Sequence, residues 1–152
     1  MTGRRTITII VSTVLVAGLA TTALAADAEA ANKKRVVKCD GKVATKVGTK
    51  GPDRIKGTAR RDIIAGLGGN DIIIGRGGND VICGGAGNDR IAGGAGHDKL
   101  LGQTGRDRLF GQAGVDRLFG GQQNDFLAGQ AGPDILFGGA GSDRLDGGIG
   151  VD

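Results

Sequence analysis

From residue 48 to the end of the chain, one aliphatic side chain recurs at every ninth position. It is Ile55, Ile64, Ile73, Ile82 and Ile91, then Leu100, Leu109, Leu118, Leu127, Leu136 and Leu145. Two positions before each of them stands an aspartate, and the aspartates continue to Asp152. Five positions before each aspartate stands a glycine, from Gly48 to Gly147. Numbering each unit from that glycine puts Asp in sixth place and Ile or Leu in eighth. Glycine tolerates positive φ and close backbone approach, so the first six residues read as a tight loop. The last three alternate outward, inward, outward, as a three-residue strand does. Three residues bury nothing alone, so the units must stack into a solenoid.

Residues 66–101, read as GLGGNDIII, GRGGNDVIC, GGAGNDRIA and GGAGHDKLL, carry a more specific signal. The pattern G-G-x-G-x-D-x-U-x resembles the RTX, or haemolysin-type, calcium-binding nonapeptide. The resemblance covers twelve units in one register, the last incomplete. It implies an all-β fold, a parallel β-roll in which two nonapeptides make one turn. Calcium then lies between loops stacked on the same side, held by the aspartates and by alternate loop carbonyls. Carried over, the metal residues are Asp71, Asp80, Asp89, Asp98, Asp107, Asp116, Asp125, Asp134 and Asp143, with the loop glycines Gly69, Gly78, Gly87 and Gly96. The best loops are 66–71, 75–80, 84–89 and 93–98, with Asp71 facing Asp89 and Asp80 facing Asp98.

Electrostatics leads to the same cation. In such a roll Asp53, Asp71, Asp89, Asp107, Asp125 and Asp143 form one column, and Asp62, Asp80, Asp98, Asp116, Asp134 and Asp152 the other. Neighbours one strand spacing apart, ~4.8 Å, repel by roughly 1 kcal/mol in water and ~3 kcal/mol at an effective dielectric near 20. Several bound calcium ions remove that repulsion. Carboxylate and carbonyl oxygens suit a hard cation with six or more ligands, and no His/Cys cluster offers a zinc site. The departures fall in particular units. Arg60 and Gln123 replace a loop glycine, Pro52 and Pro133 take fifth places, and Thr49, Thr58, Gln103, Gln112 and Gln130 take second places. Arg60 is expected to put a guanidinium where an ion would sit, and the second-place side chains to strain their loops.

The rest of the chain frames the repeat. Residues 1–25 read as a secretory signal peptide: Arg4 and Arg5, an apolar centre, then Ala23-Leu24-Ala25. A retained membrane anchor is the alternative, the apolar run being about long enough to span. Residues 26–47 form a linker and amino-terminal cap, with Arg35–Cys39 and Val43–Val47 as short strands around Asp40-Gly41, a hairpin signal. Residues 48–152 form the roll. The expected location is therefore secreted, at or beyond the cell surface, with no membrane contact after cleavage.

Charge and the remaining residues narrow the function. Lys and Arg number 20 against 16 acids, and eleven of the basic residues lie between Lys33 and Arg61. No aromatic residue interleaves that basic arm for base stacking, so it reads as a solvated counterweight to the aspartates, not a nucleic-acid site. Cys39 and Cys83, the only cysteines, are expected to pair in an exported chain. Cys83 is in ninth place and faces outward with Ala65, Leu101, Phe119 and Phe137. The arm is expected to fold over the early part of this apolar stripe. The remainder of the stripe, or the open carboxy-terminal turn, is a candidate face for self-association or a protein partner. His97 is alone in a loop, and no nucleophile or phosphate motif accompanies it, so no enzyme is expected. The reading is a secreted calcium-binding repeat protein whose folding is coupled to the ion, with calcium-dependent adhesion as the alternative.

Overall fold

The computed structural model describes residues 36–150; the segment 1–25 expected to be a signal, residues 26–35 of the expected linker, and Asp152 lie outside the described residues. Every described element is a strand. A small hairpin pairs β1 (Lys38–Cys39) with β2 (Lys42–Val43) in antiparallel fashion, turning through Asp40 and Gly41, both at positive φ. Two short strands follow, β3 (Lys46–Val47) and β4 (Arg54–Lys56). Then come ten six-residue strands: β5 (Ile63–Gly68), β6 (Ile72–Gly77), β7 (Val81–Ala86), β8 (Arg90–Ala95), β9 (Lys99–Thr104), β10 (Arg108–Ala113), β11 (Arg117–Gln122), β12 (Phe126–Ala131), β13 (Ile135–Ala140) and β14 (Arg144–Ile149).

Alternate strands stack into two parallel sheets, ordered β14-β12-β10-β8-β6-β4 and β13-β11-β9-β7-β5-β3. Each strand pairs with the one 18 residues away, Ile73 with Ile91 and Ile82 with Leu100 for example. Two nonapeptides therefore make one turn, and the chain is a parallel β-solenoid of about six turns. The core is one side chain wide on each sheet. Ile64, Ile73, Ile82, Ile91, Leu100, Leu109, Leu118 and Leu127 are fully buried, with Ile55 and Leu136 half-buried against them. Leu145, on the outermost described strand, is 47% exposed because no described strand covers its far side.

Two expectations are corrected. The strands run for six residues, not three, continuing through the third place of the next unit. The ladder skips only the first-place glycine: Ile74 pairs with Ala92 and Arg76 with Gly94, while Gly75 is passed over. The chain bends there without leaving the sheet, which shortens the true turn to the fourth to sixth places. In the amino-terminal cap, the stretch 43–47 is not one hairpin strand. Val43 belongs to the hairpin, whereas Lys46 and Val47 pair in parallel with Ile64 and Ala65 and so begin the solenoid.

The disulfide between Cys39 and Cys83 is present, with the Cα atoms 5.7 Å apart. It holds the hairpin on the outer face of the second sheet, where Cys39, Ala65, Val81 and Cys83 form a second buried cluster with Val37, Ala44, Ile63 and Leu101 around it. Lys99 Nζ, 2.8 Å from Asp40 Oδ1, ties the hairpin turn to β9. Farther along the same face Phe119 and Phe137 stack at 5.2 Å, and Phe137 is 54% exposed.

Candidate metal centre

Among the described residues each sixth-place aspartate ends a turn, and those from Asp62 to Asp134 are buried. Asp71, Asp80, Asp89, Asp98, Asp107, Asp116, Asp125 and Asp134 are buried, while Asp143, next to the edge, is half-buried. One oxygen of each is occupied. The backbone N–H of Asp71 donates to Asp89 Oδ1 at 2.8 Å, that of Asp80 to Asp98 Oδ1, and so on along both columns to Asp125 donating to Asp143 Oδ1. The expected pairs, Asp71 with Asp89 and Asp80 with Asp98, are thus neighbours in a column.

The second oxygen is different. Oδ2 of Asp71, Asp80, Asp89, Asp98, Asp107, Asp116 and Asp125 is buried and accepts no hydrogen bond. A buried acceptor without a donor costs about 1–3 kcal/mol, more when charged. The surroundings supply another acceptor instead. A methyl group placed on Gly66 would touch both Asp71 Oδ2 and the carbonyl oxygen of Gly84, the first-place residue one turn on. Gly75, Gly84, Gly93 and Gly102 sit in the same relation to their own aspartate and to the next turn's carbonyl. A side chain at first place would fill this cradle, which accounts for the unbroken glycine column. Among the described residues no three His, Cys, Asp or Glu side chains come together. The groups brought together are one carboxylate oxygen and a backbone carbonyl of the next turn, oxygen donors of the kind a hard cation prefers.

The titration behaviour records the same imbalance. Burial pushes Asp80, Asp89, Asp98 and Asp116 up to about 6 and Asp107 up to about 7, from an ordinary 3.8. The donated backbone N–H pulls each of them down, and carboxylates of the same column push up again, Asp89 and Asp125 on Asp107 for instance. Asp71 and Asp125 are raised for the same first reason, burial. Asp62 goes the other way. Burial raises it, but hydrogen bonds from Lys46, and from the amide and hydroxyl of Thr58, together hold it below its usual range.

Backbone conformation produces this arrangement. The second place has positive φ from unit three onward: Leu67 at 83°, Arg76 at 84°, Gln103 at 84°, Gln112 at 85° and Gln130 at 78°, with glycine elsewhere. Non-glycine residues rarely adopt such values, and strain of this kind clusters at functional sites. The fourth-place glycines Gly69, Gly78, Gly87 and Gly96 are also at positive φ. Their N–H groups donate to third-place carbonyls of the next turn, Gly69 to Ala86 and Gly78 to Ala95 for example. A family model of the RTX calcium-binding nonapeptide repeat matches residues 47–82, 56–91, 76–100, 92–127 and 119–152. The chain belongs to the RTX calcium-binding repeat family. The comparison with curated proteins returns no match. A β-roll of RTX repeats is a structural calcium-binding unit, and here its family pattern coincides with the buried carboxylate columns.

Two expectations about the RTX loops need adjustment. Gln123, which replaces a loop glycine in unit nine, adopts φ 74° as a glycine would, and Asp125 is placed like its neighbours. Arg60 does not bring a guanidinium to the carboxylate of its unit. The groups on Asp62 are Lys46 Nζ on Oδ1 (2.8 Å) and, on Oδ2, the amide (2.6 Å) and hydroxyl (2.9 Å) of Thr58. The second-place threonines Thr49 and Thr58 are not strained, because neither is at positive φ. His97 is exposed, as expected of a loop histidine, and its Nδ1 accepts the N–H of Val115 at 2.9 Å. It stands in for the fifth-place asparagines Asn70, Asn79, Asn88 and Asn124, whose side-chain oxygens accept the fifth-place N–H of the next turn. This second ladder was not anticipated. Its only trace in the sequence is the recurrence of Asn before Asp.

Proposed function

We propose that this chain is a secreted calcium-binding repeat protein whose roll folds when calcium neutralises the two aspartate columns. The observation that carries it is the row of buried Oδ2 atoms without donors, each beside a carbonyl oxygen of the next turn. Asp71, Asp80, Asp89, Asp98, Asp107, Asp116, Asp125, Asp134 and Asp143 would supply carboxylate oxygens. Gly69, Gly78, Gly87 and Gly96 would shape the loops that supply carbonyls. The ion adds positive charge between acceptors that otherwise repel. Binding free energy then becomes folding free energy, because the unfolded chain has no such site. Where calcium is scarce, as before export, the chain stays unfolded; outside the cell it folds. The secretory reading rests on residues 1–25 of the sequence and on the disulfide, a bond suited to an oxidising compartment.

Far-UV circular dichroism of the purified chain during calcium titration, with magnesium as control, tests the reading. Calcium should bring a cooperative gain of β signal that magnesium does not reproduce. A full β signal in excess chelator, unchanged by calcium, would refute it. A second reading, calcium-dependent partner binding, draws on the exposed Phe137 stacked on the half-buried Phe119. Pull-downs with and without chelator separate the two.

A further inference from the structure

The first two loops are built differently from all that follow. In units one and two the second place is threonine at ordinary φ, and its N–H points at the carboxylate of its own unit. Thr49 donates to Asp53 Oδ2 from its amide at 2.6 Å and from its hydroxyl at 2.9 Å. Thr58 does the same to Asp62 Oδ2. Each hydroxyl also accepts an N–H two residues on, from Gly51 and from Arg60, at 3.1 Å. From Leu67 onward φ at this place is positive. Reversing that sign turns over the peptide joining first and second places, so the amide no longer faces the carboxylate, and Oδ2 of Asp71, Asp80, Asp89, Asp98, Asp107, Asp116 and Asp125 has no donor.

The same oxygen therefore meets two hydrogen-bond donors in the first two loops, and a neighbouring carbonyl oxygen with no donor in the loops of Asp71 to Asp125. Around Gly48 and Gly57 the cradle geometry is otherwise retained, with Asp53 Oδ2 near the carbonyl of Gly66 and Asp62 Oδ2 near that of Gly75. A β-branched residue is among the least tolerant of positive φ, so threonine holds the donor orientation, whereas Gly, Gln, Arg and Leu occupy the flipped one. The family pattern runs through both units, but their residues do not leave a carboxylate in need of a cation.

We infer that the second-place residue decides which loops take calcium, and that Thr49 and Thr58 close the first two from within. The first turn of the roll is then a calcium-independent template. It is further held by the Lys46–Asp62 ion pair and the Cys39–Cys83 bond, and the calcium-dependent turns add onto it. This rests on the calcium reading above and goes beyond it by naming the loops excluded and the residues that exclude them.

Calcium bound per chain, counted by equilibrium dialysis on the full chain, tests the inference. Thr49→Gly leaves glycine at the first, second and fourth places of unit one, as in units five and six. The fifth-place Pro52 is no obstacle, since Pro133 occupies that place in a loop with Gln130 and Gly132 at positive φ. The variant should bind one calcium more than the parent, and Thr49→Ser should bind the parent's number. A parent that binds calcium with an unchanged count in Thr49→Gly overturns the inference; a parent that binds none overturns the calcium reading instead. Hydrogen exchange of the unmodified chain in chelator gives a readout that does not depend on a variant folding. Amides of residues 57–65 should exchange at least tenfold more slowly than those of residues 84–119, and Thr58→Val should erase most of that difference. Equal protection of both regions in the parent would overturn the template.

Discussion

Raising the pH of the calcium-depleted protein should destabilise it, against the habit of most carboxylate-rich domains. The perturbation acts on Asp80, Asp89, Asp98 and Asp116, which titrate near 6 in the fold, and on Asp107, near 7, against an ordinary 3.8. Between those limits the folded chain holds protons that the unfolded chain has released. The unfolded state then binds fewer protons, so stability falls as pH rises. The contribution is fully present below about pH 4 and is gone once the pH has passed through 6 to 7. At 1.36 kcal/mol per pKa unit a displacement to about 6 corresponds to roughly 3 kcal/mol and that of Asp107 to roughly 4 kcal/mol, upper values that screening by solvent lowers. Even reduced by about half, the five together are comparable with the whole stability of an ordinary domain, about 5–15 kcal/mol. The assay is the urea midpoint by far-UV circular dichroism from pH 4 to 8, in buffer stripped of calcium, with the disulfide intact. The midpoint should fall steadily to pH 7 and the β signal should be largely lost above it. Saturating calcium should remove or reverse the slope, because the ion favours the ionised form. Asp62, held low by Lys46 and Thr58, contributes with the opposite sign, losing stability as pH falls through its own titration. A calcium-depleted midpoint that stays level or climbs from pH 4 to 7 would show that the buried columns do not control folding.

Three further outcomes follow from the same geometry. Asp107→Asn keeps the acceptor for the N–H of Asp89 and can turn an NH2 group toward the carbonyl of Gly120. It should raise the urea midpoint without calcium at pH 6, where the calcium-depleted fold still persists, and lower it in saturating calcium, and a shift of the same sign in both conditions would contradict the assignment. Ile82→Ala, at a fully buried position between Ile64 and Leu100, should cost about 2–5 kcal/mol in calcium, whereas Leu145→Ala, 47% exposed, should cost less than about 1 kcal/mol; equal costs would mean the core is not the single column described. Reducing Cys39–Cys83 frees a sequence separation of 44 residues and should lower stability by about 4 kcal/mol on the loop-entropy estimate, read as a drop in urea midpoint with reductant; no drop would mean the hairpin does not help hold the roll.

Much of the fold was open to reading because its period is strict. Aspartate in sixth place and Ile or Leu in eighth specify stacking, register and two carboxylate columns, and the outward ninth place brings Cys83 to a face that the hairpin can cover. What stayed hidden depends on the sign of a dihedral angle or on partners outside the period. The strands' continuation through the third place is masked by glycine, which has little strand preference of its own. Thr49 and Thr58 look like strained departures from the pattern until their φ values show them to be donors. Lys46 comes from the segment before the repeat, and Lys99 reaches Asp40 across 59 residues. Neither pair has a fixed spacing that the repeat could reveal.

The energetics of one unit explain why so regular a chain should respond so sharply to an ion. Each central strand buries one Ile or Leu, worth roughly 1.5–3 kcal/mol. Each central loop buries one carboxylate, whose ionisation costs on the order of 2–3 kcal/mol from the displacement of its pKa to about 6. The two contributions are of similar size and opposite sign. Neutralising the carboxylate, by a proton or by a cation, therefore shifts the balance of a unit by about as much as its one core side chain contributes. Because every unit repeats the same near-balance and touches mainly its neighbours one turn away, small changes per unit add along the roll. A solenoid with a broader core would fold regardless of its loops; this one has a core only one side chain wide on each sheet, so its loops hold the deciding term.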